Sequence, residues 1–443
     1  VRIPCALTIA GSDSGGGAGI QGDLKTFASL GVHGLSVVTA VTAQNTQRVE
    51  GTFELPPEFV RKQLDAVTRD FDVEWAKTGM LSSADIIREV EAGAKRHRLR
   101  LVVDPVMVAA SGGQLLRDDA LDQLRRLLKR AELVTPNIPE AQRLAGMKIR
   151  SAKDARNAAR KISKLGPKAV LIKGGHLPRR DILDLLLVGG KFREFKGPRV
   201  TSEPVHGTGC SFSAAITAEL AKGAELTEAV HNAREFIVEA IEGRLKVGRG
   251  LSPVNPLASL EAEVEEVKAL REVWTGAQLL VNEPKFSDLL PEVGSNLVMA
   301  LPGARERSEV IGLSGRIVRV GNCPHLAGFP TRGGSEHVAN IVLTAMRHDP
   351  EVRAGMNIRF SDDVLKKCRR LGLSVSSFDR RKEPRGAKTM RWGTELAIKS
   401  AGGVPDVIFD RGARGKEPMI RLLGQTATEI AERALELAKD LRR

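Results

Sequence analysis

Unbroken apolar runs alternate with helix-period stretches along the first half of this 443-residue chain. Strand candidates are CALTIAG (5–11), LSVVTAVTA (35–43), RLVVDPVMV (100–108), ELVTPN (132–137) and AVLIKGG (169–175). Between them, SADIIREVEAGAKRH (83–97) and DALDQLRRLLKRA (119–131) repeat apolar residues at helical spacing. A strand that is apolar throughout needs cover on both faces. The alternation therefore predicts a mostly parallel sheet between two helical layers. Ligands of such sheets collect beyond the carboxyl ends of the strands, so the loops after strands are where chemistry belongs.

A helix starting at Cys210 is followed by a second over 226–243. The Gly/Pro-rich GRGLSPVNP then breaks the pattern and leads into an acidic helix, which reads as a linker. The boundary falls near 257–265, giving domains 1–260 and 266–443. The second half reads as another α/β unit. Its strand candidates are 315–321, 355–360, 373–379 and 406–412, and its helices 335–348, 361–372 and 427–443. Ser361 is placed to cap the middle helix, with Asp362 and Asp363 in its first turn and basic residues near its end.

Composition narrows the function classes. No apolar run reaches the ~18–20 residues of a membrane span. The first residues lead straight into a strand and glycine loop rather than a signal peptide, so a cytosolic protein is expected. Cys5, Cys210, Cys323 and Cys368 are widely spaced, which predicts reduced thiols and no zinc knuckle. Net charge is +14, with +6 in residues 1–270 and +8 in 271–443, and aromatics are 4% with no Tyr. A basic surface without stacking rings or a reading helix argues against nucleic acid. Phosphorylated small molecules suit the charge better.

Several post-strand loops carry candidate chemistry. The loop GSDSGGGAG (11–19) lets backbone approach a ligand, or simply turns strand into helix. It lacks the Gly-Lys-Ser/Thr ending of a Walker A loop. Gln44, in TAQNT, offers an amide able to pair with a ring nitrogen and an exocyclic amine. Asp104 in VVDPVM, and Asn137 and Glu140 in TPNIPEA, follow strands and could hold Mg²⁺ through water or cap helices. Lys173 in LIKGGH could face a phosphate. Gly207, Thr208, Gly209 and Cys210 open a helix whose first amides lack intrahelical partners and suit an anion in transfer. A helix N-terminus should lower the pKa of the Cys210 thiol, fitting it to take a proton from an attacking hydroxyl; the alternative is a small packed residue.

In order along residues 4–255, the glycine loop, TAQNT, KTGML (77–81), VVDPVM, TPNIPEA, LIKGGH and HGTGCSFSAAI resemble the ribokinase superfamily. The closer resemblance is to hydroxymethylpyrimidine/phosphomethylpyrimidine kinases of thiamine biosynthesis. Cysteine at 210, where most sugar kinases carry aspartate, points to the pyrimidine and pyridoxal branch. The resemblance implies a three-layer α/β/α fold, ATP and Mg²⁺ as cofactors, and two successive phosphorylations of 4-amino-5-hydroxymethyl-2-methylpyrimidine. It implies that Gln44 reads the pyrimidine edge, with Gly11 and Asp23 close by and Met80 on the ring. Lys173, Asn137 and Thr208 would serve the nucleotide and its phosphates, and Asp104 and Glu140 would organise metal through water. Residues 207–210 would form the anion hole with Cys210 as base, and 12–18 would cover the substrate. It also implies a homo-oligomer.

In the second half, basic residues cluster at 378–393 and 410–418, each run following a strand candidate and carrying glycine. Solvated loops explain such runs, as does recognition of phosphate or pyrophosphate by arginine forks. LLPEVGSNLVMALPGA (289–304), GRIVRVG, HVANIVLTAM, LGLSVSSFDRRKEP and PDVIFDRGARGKEPMIRLLG resemble the archaeal thiamine-phosphate synthase domain. That resemblance implies condensation of the pyrimidine diphosphate with thiazole phosphate, with Arg316 and His337 as functional residues. Many members carry arginine where this chain has Glu336 and Asn340. A non-catalytic module sensing thiamine phosphate is the competing expectation. Pyridoxal phosphorylation in the first half is a further question of specificity.

Overall fold

Strand β1 (Cys5–Asp13) is buried along almost its whole length, as a mostly apolar run in the middle of a sheet must be. The computed structural model describes residues 2–110, 112–176, 181–384 and 389–439. The chain divides into two compact units, Val1–Glu261 and Ala262–Arg443.

In the first unit, β1 is joined by β2 (His33–Gln44), β3 (Val49–Glu54), β4 (Trp75–Thr78), β5 (Arg100–Val103) and β6 (Ala131–Val134). The sheet is completed by β7 (Ala169–Ile172), β8 (Asp181–Val188) and β9 (Lys191–Pro198). The order is β3-β2-β1-β4-β5-β6-β7-β8-β9. The central six run parallel, while β3, β8 and β9 are antiparallel additions. Alternate residues of one strand serve opposite faces: Leu101 and Val103 join one core, Val102 the other. Each such aliphatic side chain contributes about 1.5–3 kcal/mol on burial.

Helix Thr208–Ala221 is buried from Ser211 to Leu220, so it is not amphipathic. It packs against the sheet and against helices Gly19–Ser29 and Leu226–Glu242. Its alanines at 214, 215 and 218 allow that close approach. The Gly/Pro-rich stretch expected as a linker instead belongs to the first unit. There Leu251 donates to Thr46, Val254 to His206 and Asn255 to Ala240, each through backbone amides. The acidic segment after it is the helix Ala258–Val281.

The second unit holds β10 (Leu297–Ala300), β11 (Val310–Leu313), β12 (Ile317–Val320), β13 (Cys323–Leu326) and β14 (Pro330–Arg332). It continues with β15 (Ala354–Arg359), β16 (Val375–Ser377), β17 (Val407–Asp410) and β18 (Met419–Gly424). Its seven-stranded sheet has the order β14-β11-β10-β15-β18-β17-β16, and only β16–β17 is parallel. The strand candidate at 315–321 contains β12, which pairs with β13 in a separate two-stranded hairpin rather than in the seven-stranded sheet. Helices Ala258–Val281 and Ala427–Ala438 cover one face. Helices His337–Met346 and Thr389–Ala401 cover the other. Ser361 caps its helix by accepting from the amide of Asp363. Residues 385–388 of the first basic run, and 440–443 of the expected last helix, lie outside the described residues.

Candidate active site

The carboxyl ends of β1, β2, β4, β5, β6 and β7 open onto a cavity of about 640 Å³ within the first unit. Its walls include Gly11, Gln44, Met80, Asp104, Asn137 and Glu140, together with Lys173 and residues 207–210. Parallel strands end side by side, so loops far apart in sequence meet there.

The helix start is exposed to this cavity. Gly207 caps it at φ +82°, and a Cβ there would collide with the carbonyl of Gly17, so glycine is required on both counts. The first amide to find a helical acceptor is that of Ser211, donating to Gly207 O at 2.9 Å. The amides of 208–210 precede that bond, and all three residues line the cavity. A Cβ on Gly209 would lie 3.2 Å from Lys173 Nζ, which places the ammonium beside these amides.

Lys173 Nζ donates to Asp104 Oδ1 at 2.8 Å. Thr135 donates to the same oxygen, and Ser213 to Oδ2 at 3.2 Å. Burial opposes the charge on Lys173, yet Asp104 and Glu140 outweigh it and hold its pKa above the ordinary value. Asn137 and Glu140 form a reciprocal cap on helix Ile138–Ala145: the amide of Glu140 donates to Asn137 Oδ1, and that of Asn137 to Glu140 Oε2. Both also line the cavity, so capping and a site role coincide. Burial pushes the Glu140 carboxyl up to about 7, against the pull of Lys173.

Two expectations need correction. The Cys210 thiol is half-buried and lines the cavity, but its pKa rises rather than falls, to about 11. Burial dominates and Asp23 and Asp104 add to it; Lys77 and the amide of Gly19 pull the other way without prevailing. Asp23, expected beside the substrate, has no exposed surface and takes no part in the wall. It accepts from Lys77 Nζ at 2.7 and 2.9 Å and from Thr8 at 2.6 Å, so it sits beneath Lys77.

Lys77 is one of three residues that the sequence reading missed; the others are Asp13 and His206. All three line the cavity. Asp13 ties down the glycine loop by accepting from the amides of Gly15, Gly17 and Ala18. His206 Nε2 lies 2.9 Å from Asp13 Oδ2 and 3.4 Å from Gln44 Nε2. Burial works against the Asp13 carboxylate, but the hydrogen bonds from His206, Gly15 and Ala18 hold its pKa below the usual range. The available signals were a charged residue inside a short buried strand, an aspartate inside a glycine loop and a histidine directly before GTGC.

The start of helix Thr208–Ala221, the Lys173 ammonium, the Gln44 side-chain amide and the Cys210 thiol thus share one cavity. Comparison with known proteins agrees with that chemistry. The Phosphomethylpyrimidine kinase family model matches residues 13–255, and the model Thiamine-phosphate synthase ThiN matches 272–436. A bifunctional thiamine biosynthesis protein ThiDN of Methanocaldococcus jannaschii is 34% identical over 98% of both chains. The chain belongs to this bifunctional kinase–ThiN family. A hydroxymethylpyrimidine/phosphomethylpyrimidine kinase of Bacillus subtilis is 48% identical, covering 57% of this chain and 94% of its own. Among solved structures, an ADP complex of Bacillus subtilis pyridoxal kinase superposes with a TM-score of 0.55 at 38% identity. It covers 58% of this chain and 99% of that one. A Staphylococcus aureus pyridoxal kinase in complex with AMP-PCP and pyridoxal gives 0.55 at 34%, covering 58% and 95%. The first unit therefore has the ribokinase-like fold of an ATP-using kinase family.

In the family's ThiN half, Arg316 lies just beyond β11, exposed, and its guanidinium donates to the carbonyl of Val293. His337 is the exposed first residue of helix His337–Met346. The turn before it doubles back onto Gly312 and Leu313, at the end of the strand that leads to Arg316. No hydrogen bond among the described residues joins the two side chains. Glu336 pairs with Arg307 at 3.8 Å, and Asn340 Oδ1 accepts from Arg391 Nε at 3.1 Å. Arg307 therefore offsets the charge of Glu336, and Arg391 brings a guanidinium to Asn340. Among the described residues no helix is long and apolar enough to cross a membrane.

Proposed function

We propose that the first unit transfers the γ-phosphoryl group of ATP to 4-amino-5-hydroxymethyl-2-methylpyrimidine and then to the resulting monophosphate. The second unit joins the diphosphate to thiazole phosphate, forming thiamine phosphate and releasing pyrophosphate. The observation that carries this reading is the cavity in which the bare amides of 208–210 and Lys173 meet Gln44 and Met80. The whole-chain likeness to a bifunctional thiamine biosynthesis protein supports the pairing of the two activities.

In the first transfer the hydroxymethyl oxygen bonds to the γ-phosphorus while the bond to the β-phosphate bridging oxygen breaks. The hydroxyl proton passes to the Cys210 thiolate, and ADP departs. The amides of 208–210 and Lys173 receive the charge on the migrating group. Gln44 and Met80 orient the ring, and Asn137 and Thr208 serve the nucleotide. Gly11 leaves room for the Met80 thioether, which a Cβ would approach to 2.9 Å.

Magnesium fits the acidic wall only indirectly. The described residues contain no group of three or more His, Cys, Asp or Glu able to hold a metal, and Asp104 already accepts from Lys173, Thr135 and Ser213. Asp104 and Glu140 suit an ion carried by nucleotide phosphates and met through water. Such an ion supplies neutralisation of phosphate charge.

The test is a time course with the full chain, the pyrimidine alcohol, ATP, Mg²⁺ and thiazole phosphate. Monophosphate, diphosphate and thiamine phosphate should appear in that order, with pyrophosphate matching the last. Failure to phosphorylate the alcohol would refute the first assignment. Diphosphate without thiamine phosphate would leave the second unit as a binding module.

A further inference from the structure

On one face of the second sheet, a polar row crosses strands that are otherwise apolar. Asn357 and Arg421 are directly paired on β15 and β18. The amide of Asn296, just before β10, donates to Asn357 Oδ1 at 2.8 Å. Asp410 ends β17, two residues beyond the partner of Arg421. The row lies on the face covered by helices His337–Met346 and Thr389–Ala401, since Val298, Ile408 and Leu423 belong to that core. From β10 to β17 it spans three strand spacings, about 14 Å. Its β10 end abuts the turn leading to His337: a Cβ on Gly312 would lie 3.4 Å from Asn296 Oδ1 and 3.2 Å from the amide of Ser335.

The other end holds an unequal charge count. Arg421 Nη2 donates to Asp410 Oδ2 at 2.6 Å. Arg380 Nε lies 2.7 Å from Asp410 Oδ1, and its Nη2 donates to Oδ2 at 3.1 Å. Asp410 also accepts from the amide of Gly412. Side-chain exposure is 0% for Asp410, 3% for Arg421 and 10% for Arg380, so two guanidinium groups share one buried carboxylate. A buried charge without its counter-charge is costly, and a fold retains one where an anion completes it. Arg421 is locked between Asp410, the carbonyl of Met419 and the ring of Phe378. Arg380 is the member nearest solvent, and no partner for its Nη1 is found among the described residues.

We propose that Arg380, oriented by the buried Asp410–Arg421 pair, is an anchor for a phosphoryl anion in the second unit. This deepens the synthase reading and rests on it for the substrate class. The ligand is a phosphate monoester or a diphosphate. Asp410 occupies the Nε edge of the guanidinium and leaves the Nη1 edge for oxygen atoms. Arg381, next in sequence, does not share the role: its side chain is 81% exposed and is paired with Asp379.

The experiment uses the full chain with AMP-PCP saturating the first unit. Calorimetric binding of inorganic pyrophosphate and of inorganic phosphate is compared for wild type, Arg380→Met and Arg381→Met. Arg380→Met should weaken the preferred anion at least tenfold, and Arg381→Met less than twofold. Tighter pyrophosphate binding assigns the diphosphate to this anchor; tighter phosphate binding assigns the monoester. In wild type, hydrogen exchange should slow on adding the anion in peptides covering 375–384 and 407–419, a measurement that needs no variant to fold. No anion binding, equal losses in the two variants, or unchanged exchange in both peptides overturns the proposal. Thiamine phosphate formation is followed separately. Product made without an Arg380 effect removes only the anchor, and anion binding without product removes only the synthase reading.

Discussion

The strongest test concerns Cys210 and the difference between the two phosphorylations. The first acceptor is an alcohol that must lose a proton. The second is a phosphate monoester whose second pKa is about 6, so above pH 7 it has no proton to give up. A base at Cys210 therefore matters for the first transfer and not for the second. The thiol's pKa of about 11 lies four units above neutrality, so forming the thiolate at pH 7 costs about 5 kcal/mol. Below pH 11 the thiolate fraction, and with it the first-step rate, should rise about tenfold per pH unit between 7 and 9. The second step should level off above pH 7. Cys210→Ser keeps the shape of the wall and the amides of 208–210 but removes the thiolate. It should slow the first transfer by about 10²–10⁴, the usual worth of a positioned base, and the second by less than about fivefold. Single-turnover assays with enzyme in excess, using alcohol or monophosphate as acceptor, separate chemistry from product release. Equal losses in the two steps, or a wild-type first step that is flat from pH 7 to 9, would refute the role of base.

Lys77→Met leaves Asp23 buried with Thr8 as its remaining side-chain partner, and should destabilise the first unit by about 3–5 kcal/mol in denaturant melts; adding Asp23→Asn should recover most of it. A single-variant cost below about 1 kcal/mol contradicts the pair's structural role. The Glu140 carboxyl, raised from 4.5 to about 7, gives stability that is complete below pH 4.5 and lost as pH climbs through 7. Glu140→Gln cannot ionise, so its stability advantage over wild type should grow by about 3 kcal/mol between pH 4.5 and 8; a gap independent of pH excludes the shift. Gly207→Ala meets both the positive φ and the Gly17 carbonyl, and should cut kinase turnover more than about 100-fold while leaving the melting of the second unit unchanged. Near-normal turnover would show that the loop at 17 and 207 can move apart.

Elements with long, unmixed patterns were legible in the chain. The runs at 5–11, 35–43 and 169–175 all mark strands, and helices 84–96 and 226–242 lie within a residue or two of their periodic stretches. Short or mixed strands escaped notice. β4 is four residues long and includes Trp75 and Lys77, and β3 is mostly exposed at the sheet edge. The β8–β9 hairpin turns on Gly189–Gly190 with an exposed second strand, and that glycine pair after an apolar run is itself a hairpin signal in the sequence. In the second unit, strands as short as three residues give too little pattern to separate from loop.

What the sequence determined by itself was local: where apolar runs stop, which loops follow them, and which residue types stand there. Parallel strands end on one side of their sheet, so those loops had to converge, and Gln44, Asp104, Lys173 and Cys210 could be named without coordinates. Only the tertiary structure decided which charges meet. Asp23 lies under Lys77 rather than at a substrate, two arginines share Asp410, and the Cys210 thiol holds its proton more tightly than a helix start alone implies. The reason is that burial and the fields of residues distant in sequence act through space, and no spacing along the chain encodes those distances.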